Sequence, residues 1–225
     1  FVIDALRMQG IQQFVFSLGY KWEVIDAYLK EAYPTLQYQI VIEQEPLGTG
    51  GAIQLSLQHC QTEHVLIANG DTLFKIDLRS MVHTHFNNKS QCTLALKPMQ
   101  QFDRYGAVQL TENNGITSFR EKQFYAEGLI NGGIYLLQKA ALLQKNLPVK
   151  FSFEKDYLEA FTAEKQFYGS IQKGYFIDIG IPEDFNKAQI ELAQSELNLK
   201  SVDKSWTLFL DRDGVINEEL PGTYV

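Results

Sequence analysis

Two cysteines in 225 residues, Cys60 and Cys92, are too few for a disulfide framework, and nothing around them has the spacing of a metal-ligand cluster. Positive charge is also scarce. Twenty Lys and Arg face 27 Asp and Glu, leaving a net charge of −7 and a pI near 5.1. That balance argues against a nucleic-acid binder, which needs a basic face. An acidic chain can still hold a nucleotide locally, through glycine loops, a few cations and a metal. No apolar run approaches the roughly 20 residues that span a bilayer, and no charged-then-apolar signal segment opens the chain. A cytoplasmic protein with no membrane partner is the expectation. Hydrophobic and charged contents of 45% and 21% are ordinary for a globular protein. The length allows one good core, or one domain plus part of another. The chain starts directly in a helical pattern and finishes a few residues after a strand, so both ends are expected to fall inside domains.

What is present is organised around His64-Val65-Leu66-Ile67-Ala68-Asn69-Gly70-Asp71-Thr72-Leu73. A short apolar run that stops at turn formers reads as a central strand of a parallel sheet. Ligands of open α/β sheets sit in the crevice at the carboxyl ends of the strands. Asp71 therefore falls where a carboxylate could hold a cation against a phosphate, although Asn-Gly-Asp is equally good turn chemistry.

Around this stretch the pattern alternates. Val2, Ile3 and Leu6 fall at helical spacing before Gly10, residues 13–18 read as a strand, residues 21–33 as a helix ended by Pro34, and residues 37–43 as a strand. This β-α-β-α rhythm predicts a parallel, doubly wound sheet with right-handed crossovers. Glu45-Pro46-Leu47-Gly48-Thr49-Gly50-Gly51-Ala52 then leads into a helix through Leu57. Its glycines let backbone approach a flat ligand closely, or serve as a plain strand-to-helix connection. It is not a Walker loop and does not fit G-x-G-x-x-G. His83 and His85, in a helix over residues 78–86, have no acidic or cysteine neighbours and are expected to be solvated or helix-capping.

Beyond a strand at 92–97, residues 104–110 and 116–120 read as a hairpin around Glu112-Asn113-Asn114-Gly115. Glu121-Lys122 could hold a sugar hydroxyl and a sugar phosphate, or be an exposed pair. Asn131, before Gly132 in a strand over 129–137, could read sugar hydroxyls or cap a turn. Phe153, Leu158 and Phe161 are core candidates of the next helix, with Glu154 and Asp156 as favourable first-turn charges. Asp178 sits between Ile177 and Ile179, and a carboxylate there needs a partner; a metal shared with Asp71 would supply one. A helix over 182–197 and a polar connector precede Trp206-Thr207-Leu208-Phe209-Leu210-Asp211-Arg212-Asp213-Gly214-Val215-Ile216-Asn217, another strand ending in acids. Two carboxylates two residues apart suit a nucleophile, a general acid and Mg²⁺ ligation in one loop.

The glycine stretch at 45–52, Asn69-Gly70-Asp71, Arg104-Tyr105-Gly106, Glu121-Lys122, Asn131-Gly132-Gly133-Ile134-Tyr135 and Asp178-Ile179-Gly180 are weak singly and specific as a set. In this order they resemble sugar-1-phosphate nucleotidyltransferases of the heptose and mannose 1-phosphate guanylyltransferase kind. Residues 211–217 resemble the first motif of haloacid dehalogenase-type phosphatases, nearest the heptose-bisphosphate and histidinol-phosphate branch. The resemblance implies an α/β, Rossmann-like, doubly wound mixed sheet of the glycosyltransferase A-like type, N-terminally truncated. It implies a nucleotidyltransferase domain over 1–195, a linker over 196–205, and an incomplete phosphatase start over 206–225. The family's opening strand and glycine-rich triphosphate loop are expected before Phe1, so this stretch by itself is expected to be deficient in both activities.

By the same resemblance, Asp71 and Asp178 hold Mg²⁺, and Glu45, Gly48, Thr49, Gly50, Gly51, Asn69 and Gly70 bind the nucleotide. Gly106, Glu121, Asn131 and Gly132 face the sugar, and Lys122 meets its phosphate. Asp211 is the phosphatase nucleophile and Asp213 its acid/base, both also metal ligands. Gly132-Gly133 stands where Ala-Gly is commoner, and Gln123 where Pro is usual. The implied partners are a nucleoside triphosphate, GTP, and a sugar 1-phosphate; a homo-oligomer is compatible but not required. The implied function is transfer of GMP to D-glycero-D-manno-heptose 1-phosphate in a bifunctional protein with a sugar-bisphosphate phosphatase. The alternatives are a mannose-1-phosphate guanylyltransferase, a phosphatase carrying a non-catalytic nucleotide-sugar-binding domain, and a sensing module without catalysis.

Overall fold

The apolar spacing of the N-terminal residues resolves into α1 (Val2–Met8), β1 (Gln13–Leu18), α2 (Trp22–Ala32) and β2 (Gln37–Ile42) in the computed structural model, which describes residues 1–194. Gly10 takes positive φ and donates its N–H to Arg7 O at 2.9 Å, so α1 stops where the glycine predicts. β1 and β2 pair in parallel, Phe16 opposite Ile40, with α2 as the crossover. α3 (Gly48–Leu57) and β3 (His64–Ala68) follow.

The position of β3 departs from expectation. Its apolar run predicts the middle of a parallel sheet, yet it forms one end of a four-stranded mixed sheet and lies antiparallel to β8 (Tyr125–Gln138), Ile67 opposite Tyr135. β5 (Cys92–Phe102) lies antiparallel to the other side of β8 and parallel to β9 (Phe167–Ile171). An apolar run reports burial on both faces, not strand direction, and here both faces are covered. Tyr135 and Leu137 of β8 join a core with Leu57 of α3 and with Phe153, Tyr157 and Phe167. Ile134 and Leu136, on the opposite face, join Met81 of α4 (Leu78–Asn87).

β4 (Thr72–Phe74) leaves the direction of β3 and pairs antiparallel with β10 (Phe176–Asp178). Leu73 and Ile177 of that pair pack with Ala188 and Leu192 of α6 (Pro182–Gln194), and Val2 of α1 packs against them. β6 (Val108–Leu110) and β7 (Ile116–Phe119) form the expected hairpin. Two elements had no signal in the pattern: α5 (Lys139–Leu143), one turn long, and β9, whose interior Tyr168-Gly169-Ser170 neither alternates nor runs apolar. A π-helical turn, Phe153–Glu159, stands where a helix start is predicted, its first turn capped by Ser152, which accepts from Lys155 N–H at 3.2 Å.

His85 also departs from expectation. It is 1% exposed, with one ring nitrogen 2.9 Å from His64 Nδ1 and the other 2.9 Å from Thr93 Oγ1. Four residues after Met81, it lies on the helix face turned to the sheet. Burial, with a contribution from His64, pushes its pKa down to about 4. Among the described residues no helix is long and apolar enough to cross a membrane.

Candidate active site

The turn Asn69-Gly70-Asp71 joins β3 to β4, and two sets of polar groups run out from it. The first starts at Asp71. Because β4 pairs with β10, Thr72 lies opposite Asp178, and Ile179 donates its N–H to Asp71 O at 2.9 Å. Two acids 107 residues apart in the chain are thus neighbours across one strand pair. Asp71 is exposed and accepts from Thr72 Oγ1 at 3.3 Å. Asp178 is half-buried, and its partners are Gly180 N–H at 2.9 Å on one oxygen and Tyr105 Oη at 3.2 Å on the other. The partner that its apolar neighbours demand is therefore found within the protein. Burial and the Asp178 charge push the Tyr105 hydroxyl up to about 12, keeping it a donor. Arg104 pairs with Asp184 of α6. Each Asp178 oxygen accepts one hydrogen bond and retains a lone pair. Carboxylate oxygens with free lone pairs are the hard donors that suit Mg²⁺, and among the described residues no group of three or more acidic, histidine or cysteine side chains is gathered for a metal.

From Tyr105 the chain leads directly to the hairpin end. A Cβ on Gly106 would sit 2.4 Å from Arg120 O, so only glycine lets the two segments lie against each other. Arg120 N–H donates to Ala107 O at 2.8 Å, and Tyr125 Oη donates to Glu121 O at 3.0 Å. These bonds hold the backbone at Arg120-Glu121 against Gly106-Ala107, next in the chain to Tyr105. Both side chains are exposed, and neither makes a hydrogen bond or ion pair among the described residues.

The second set starts at Asn69, whose N–H donates to Gly133 O at 3.0 Å. Gly133 has φ +72°, and a Cβ there would lie 2.7 Å from Asn69 Nδ2. Asn131 Oδ1 accepts from Gly133 N–H at 3.1 Å, and Asn131 Nδ2 donates to Tyr135 Oη at 2.8 Å. Tyr135 in turn donates to Glu154 Oε1 at 3.1 Å, while Thr49 Oγ1 donates to Glu154 Oε2 at 3.0 Å. Phe153 N–H closes the set on Thr49 Oγ1 at 2.9 Å. Burial first, then the Glu154 charge, hold the Tyr135 phenol well above its usual pKa. Gly132 is buried, its Cβ direction blocked by the Phe74 ring at 2.4 Å, so it belongs to the core and an alanine there would have to displace that ring.

The glycine stretch has a structural use that is visible directly. Its glycines form the first turn of α3, and Gly50 N–H donates to Phe151 O at 3.0 Å. A Cβ on Gly50 would fall 2.1 Å from the Phe151 ring, and one on Gly51 would fall 2.3 Å from Val149 O. Packing against residues 149–151 thus accounts for Gly48, Gly50 and Gly51 without a ligand, Gly48 having φ +72° and a Cβ direction 2.6 Å from Phe151 O, while Thr49 and Glu45 are exposed. Glu43 braces the approach, accepting from Ser17 Oγ at 2.9 Å and Leu47 N–H at 3.2 Å.

Four participants were not identified as such from sequence: Tyr105, Tyr135, Glu154 and Glu43. A signal existed for one of them, since the hydroxyl of Tyr135 in the apolar run Ile134–Leu137 needs a buried partner. Glu154 looked like an ordinary first-turn acid. Asp211 and Asp213 lie outside the described residues.

Residues 1–195 match the family model of nucleotidyl transferases. The chain belongs to the nucleotidyl transferase family. It is 50% identical over 187 residues to the D-glycero-alpha-D-manno-heptose 1-phosphate guanylyltransferase of Aneurinibacillus thermoaerophilus, covering 83% of this chain and 81% of that protein. The Campylobacter jejuni enzyme of the same name is 43% identical over 82% of this chain and 81% of its own length. The crystal structure of HddC from Yersinia pseudotuberculosis matches with a TM-score of 0.77 at 33% identity, covering 85% of this chain and 83% of that one. HddC complexed with GMP-PN matches with a TM-score of 0.75 at 32% identity over the same shares.

Proposed function

We propose that this protein transfers GMP from GTP to D-glycero-D-manno-heptose 1-phosphate, releasing pyrophosphate. The observation that carries the reading is the 50% identity to the heptose 1-phosphate guanylyltransferase of Aneurinibacillus thermoaerophilus. The HddC complex with GMP-PN supports a nucleotide as the other substrate. A phosphate oxygen of the sugar 1-phosphate attacks the α-phosphorus of GTP, and the bond to pyrophosphate breaks as the new P–O bond forms. Such a reaction asks a protein mainly for positioning and charge neutralisation. Lys122 orients the attacking phosphate, Glu121, Asn131 and Gly106 the sugar, and the Gly48–Gly51 turn with Glu45, Asn69 and Gly70 the nucleotide. Asp71 and Asp178 would hold Mg²⁺, whose chemistry there would be neutralisation of phosphate charge. The reading places the enzyme in the cytoplasm.

A second activity, hydrolysis of a sugar bisphosphate, is proposed on residues 211–217 alone, with Asp211 as nucleophile and Asp213 as acid/base in a domain that begins near residue 206. The test is pyrophosphate release by the full-length protein with Mg²⁺, each of the four triphosphates, and heptose, mannose or glucose 1-phosphate. Turnover confined to GTP and the heptose phosphate is the expected result. Turnover with mannose 1-phosphate instead would keep the reaction and change the substrate. Hydrolysis of heptose bisphosphate without any triphosphate-dependent turnover would reduce residues 1–195 to a binding module.

A further inference from the structure

We infer that Glu154 is a positioning residue for the sugar phosphate: through Tyr135 it holds the Asn131 amide in one orientation, and through Thr49 it ties that amide to the start of α3. The inference rests on the nucleotidyl-transfer reading above.

The direction of every hydrogen bond in the set follows from its two ends, because a backbone N–H can only donate. At one end Gly133 N–H meets Asn131, so the atom facing it must be Oδ1, and Nδ2 must face Tyr135. The phenol oxygen then accepts from Asn131, and its own hydrogen goes to Glu154. At the other end Phe153 N–H occupies Thr49 Oγ1, so the threonine hydrogen also goes to Glu154, with Ser152 Oγ at 3.3 Å from the same carboxylate oxygen. Both arms converge on one carboxylate as terminal acceptor. An ionised glutamate can accept from both, whereas a glutamine has one accepting atom. Tyr135 is 1% exposed and cannot turn to water for a substitute partner.

The result is an amide that cannot flip without breaking two bonds. Asn131 is left with one N–H hydrogen and one lone pair for a ligand, in fixed places. Its position also matters: it sits opposite Leu96, beside the irregularity between Leu94 and Leu96 in the β5–β8 ladder, where regular pairing would not hold it. Pre-set hydrogen-bonding groups are what let a site reject a sugar whose hydroxyls point elsewhere. Glu154 acts at a remove, so its loss should appear in sugar affinity, not in chemistry at phosphorus.

The test is steady-state kinetics of the full-length wild type, Tyr135→Phe, Asn131→Ala and the double variant with GTP and heptose 1-phosphate. Tyr135→Phe should raise the sugar-phosphate KM roughly tenfold, the scale of one hydrogen bond, with a change in the KM for GTP below about twofold. In the Asn131→Ala background the same change should add less than about twofold, because the group it positions is gone. Effects that multiply in the double variant, or a rise in both KM values together, would overturn the inference and leave a merely structural network. Wild-type protein without turnover would sink the functional reading and with it the sugar-positioning role. The relay itself is read separately from the Asn131 side-chain amide signals in nitrogen-15 NMR spectra. Glu154→Gln and Tyr135→Phe should both displace those signals, and unchanged signals would overturn the relay whatever the kinetics.

Discussion

On one side of the Asn69-Gly70-Asp71 turn, the acids are open: Asp71 is exposed, Asp178 half-buried, and the side chains of Glu121 and Lys122 make no hydrogen bond or ion pair among the described residues. On the other side Asn131, Tyr135, Glu154 and Thr49 form an unbroken chain of hydrogen bonds that ends on backbone N–H groups. The open side has unused lone pairs and charges, which a cation and phosphates can take up. The closed side has few to spare and sets geometry. Binding of a highly charged ligand calls on both, groups that neutralise charge and groups already fixed in orientation.

The comparison breaks most sharply at Asp71. Asp71→Asn should cut turnover by more than the roughly 10–100-fold that follows loss of an outer partner of a metal ligand. The unfolding midpoint should stay near that of the wild type, because an exposed carboxylate contributes little to the fold. Pyrophosphate release at the wild-type rate would remove Asp71 from the site. Gly133→Ala tests the closed side through the fold. Positive φ costs about 1–2 kcal/mol for a residue with a Cβ, and the clash with Asn69 adds to it, so denaturant unfolding should show a loss of about 2 kcal/mol or more.

Tyr105→Phe sharpens the contrast from within the open side. It takes away one of the two hydrogen bonds that Asp178 accepts. Half-saturation by Mg²⁺ should move up about tenfold, the low end for an outer partner, while the sugar KM stays put; the opposite split would mean that Tyr105 serves the sugar. A further effect, seen only as pH falls, lies outside both sides, at His85. Its folded pKa of about 4 is below its ordinary 6.5, so the unfolded chain binds more protons between those values. Stability is therefore complete above pH 6.5 and lost as pH falls toward 4, by no more than about 1.4 kcal/mol per pH unit from this one group. Thermal unfolding across that window, compared with His85→Gln, checks it.

Most elements could be read directly, and their limits hold to within a residue or two for β1, β2 and α4, whereas α3 begins at Gly48, inside the stretch read as a connection. These are segments whose own spacing says how they are buried. β9 and α5 could not be read, because one is a strand only by lying beside β5 and the other is a single turn. The candidate site divides the same way. Asp71, Lys122, Asn131 and Asp178 stand out as polar residues at turns or in apolar surroundings, and strand pairing brings Asp71 and Asp178 together. Tyr105 and Glu154 are ordinary residues in sequence, and their roles exist only through contacts across 73 and 105 positions.

Local pattern by itself determined where most of the helices and strands lie, that both faces of the sheet are covered, and which polar residues end the strands. Each of those follows from periodicity and turn chemistry within a few residues. The tertiary structure alone decided that β3 runs antiparallel to β8, that Phe151 occupies the space left by Gly50, and that Glu154 gathers two arms of hydrogen bonds. Strand direction and side-chain partners depend on segments far apart in the chain. Their physical cause is the satisfaction of buried polar groups and the filling of space, neither of which a local stretch can record.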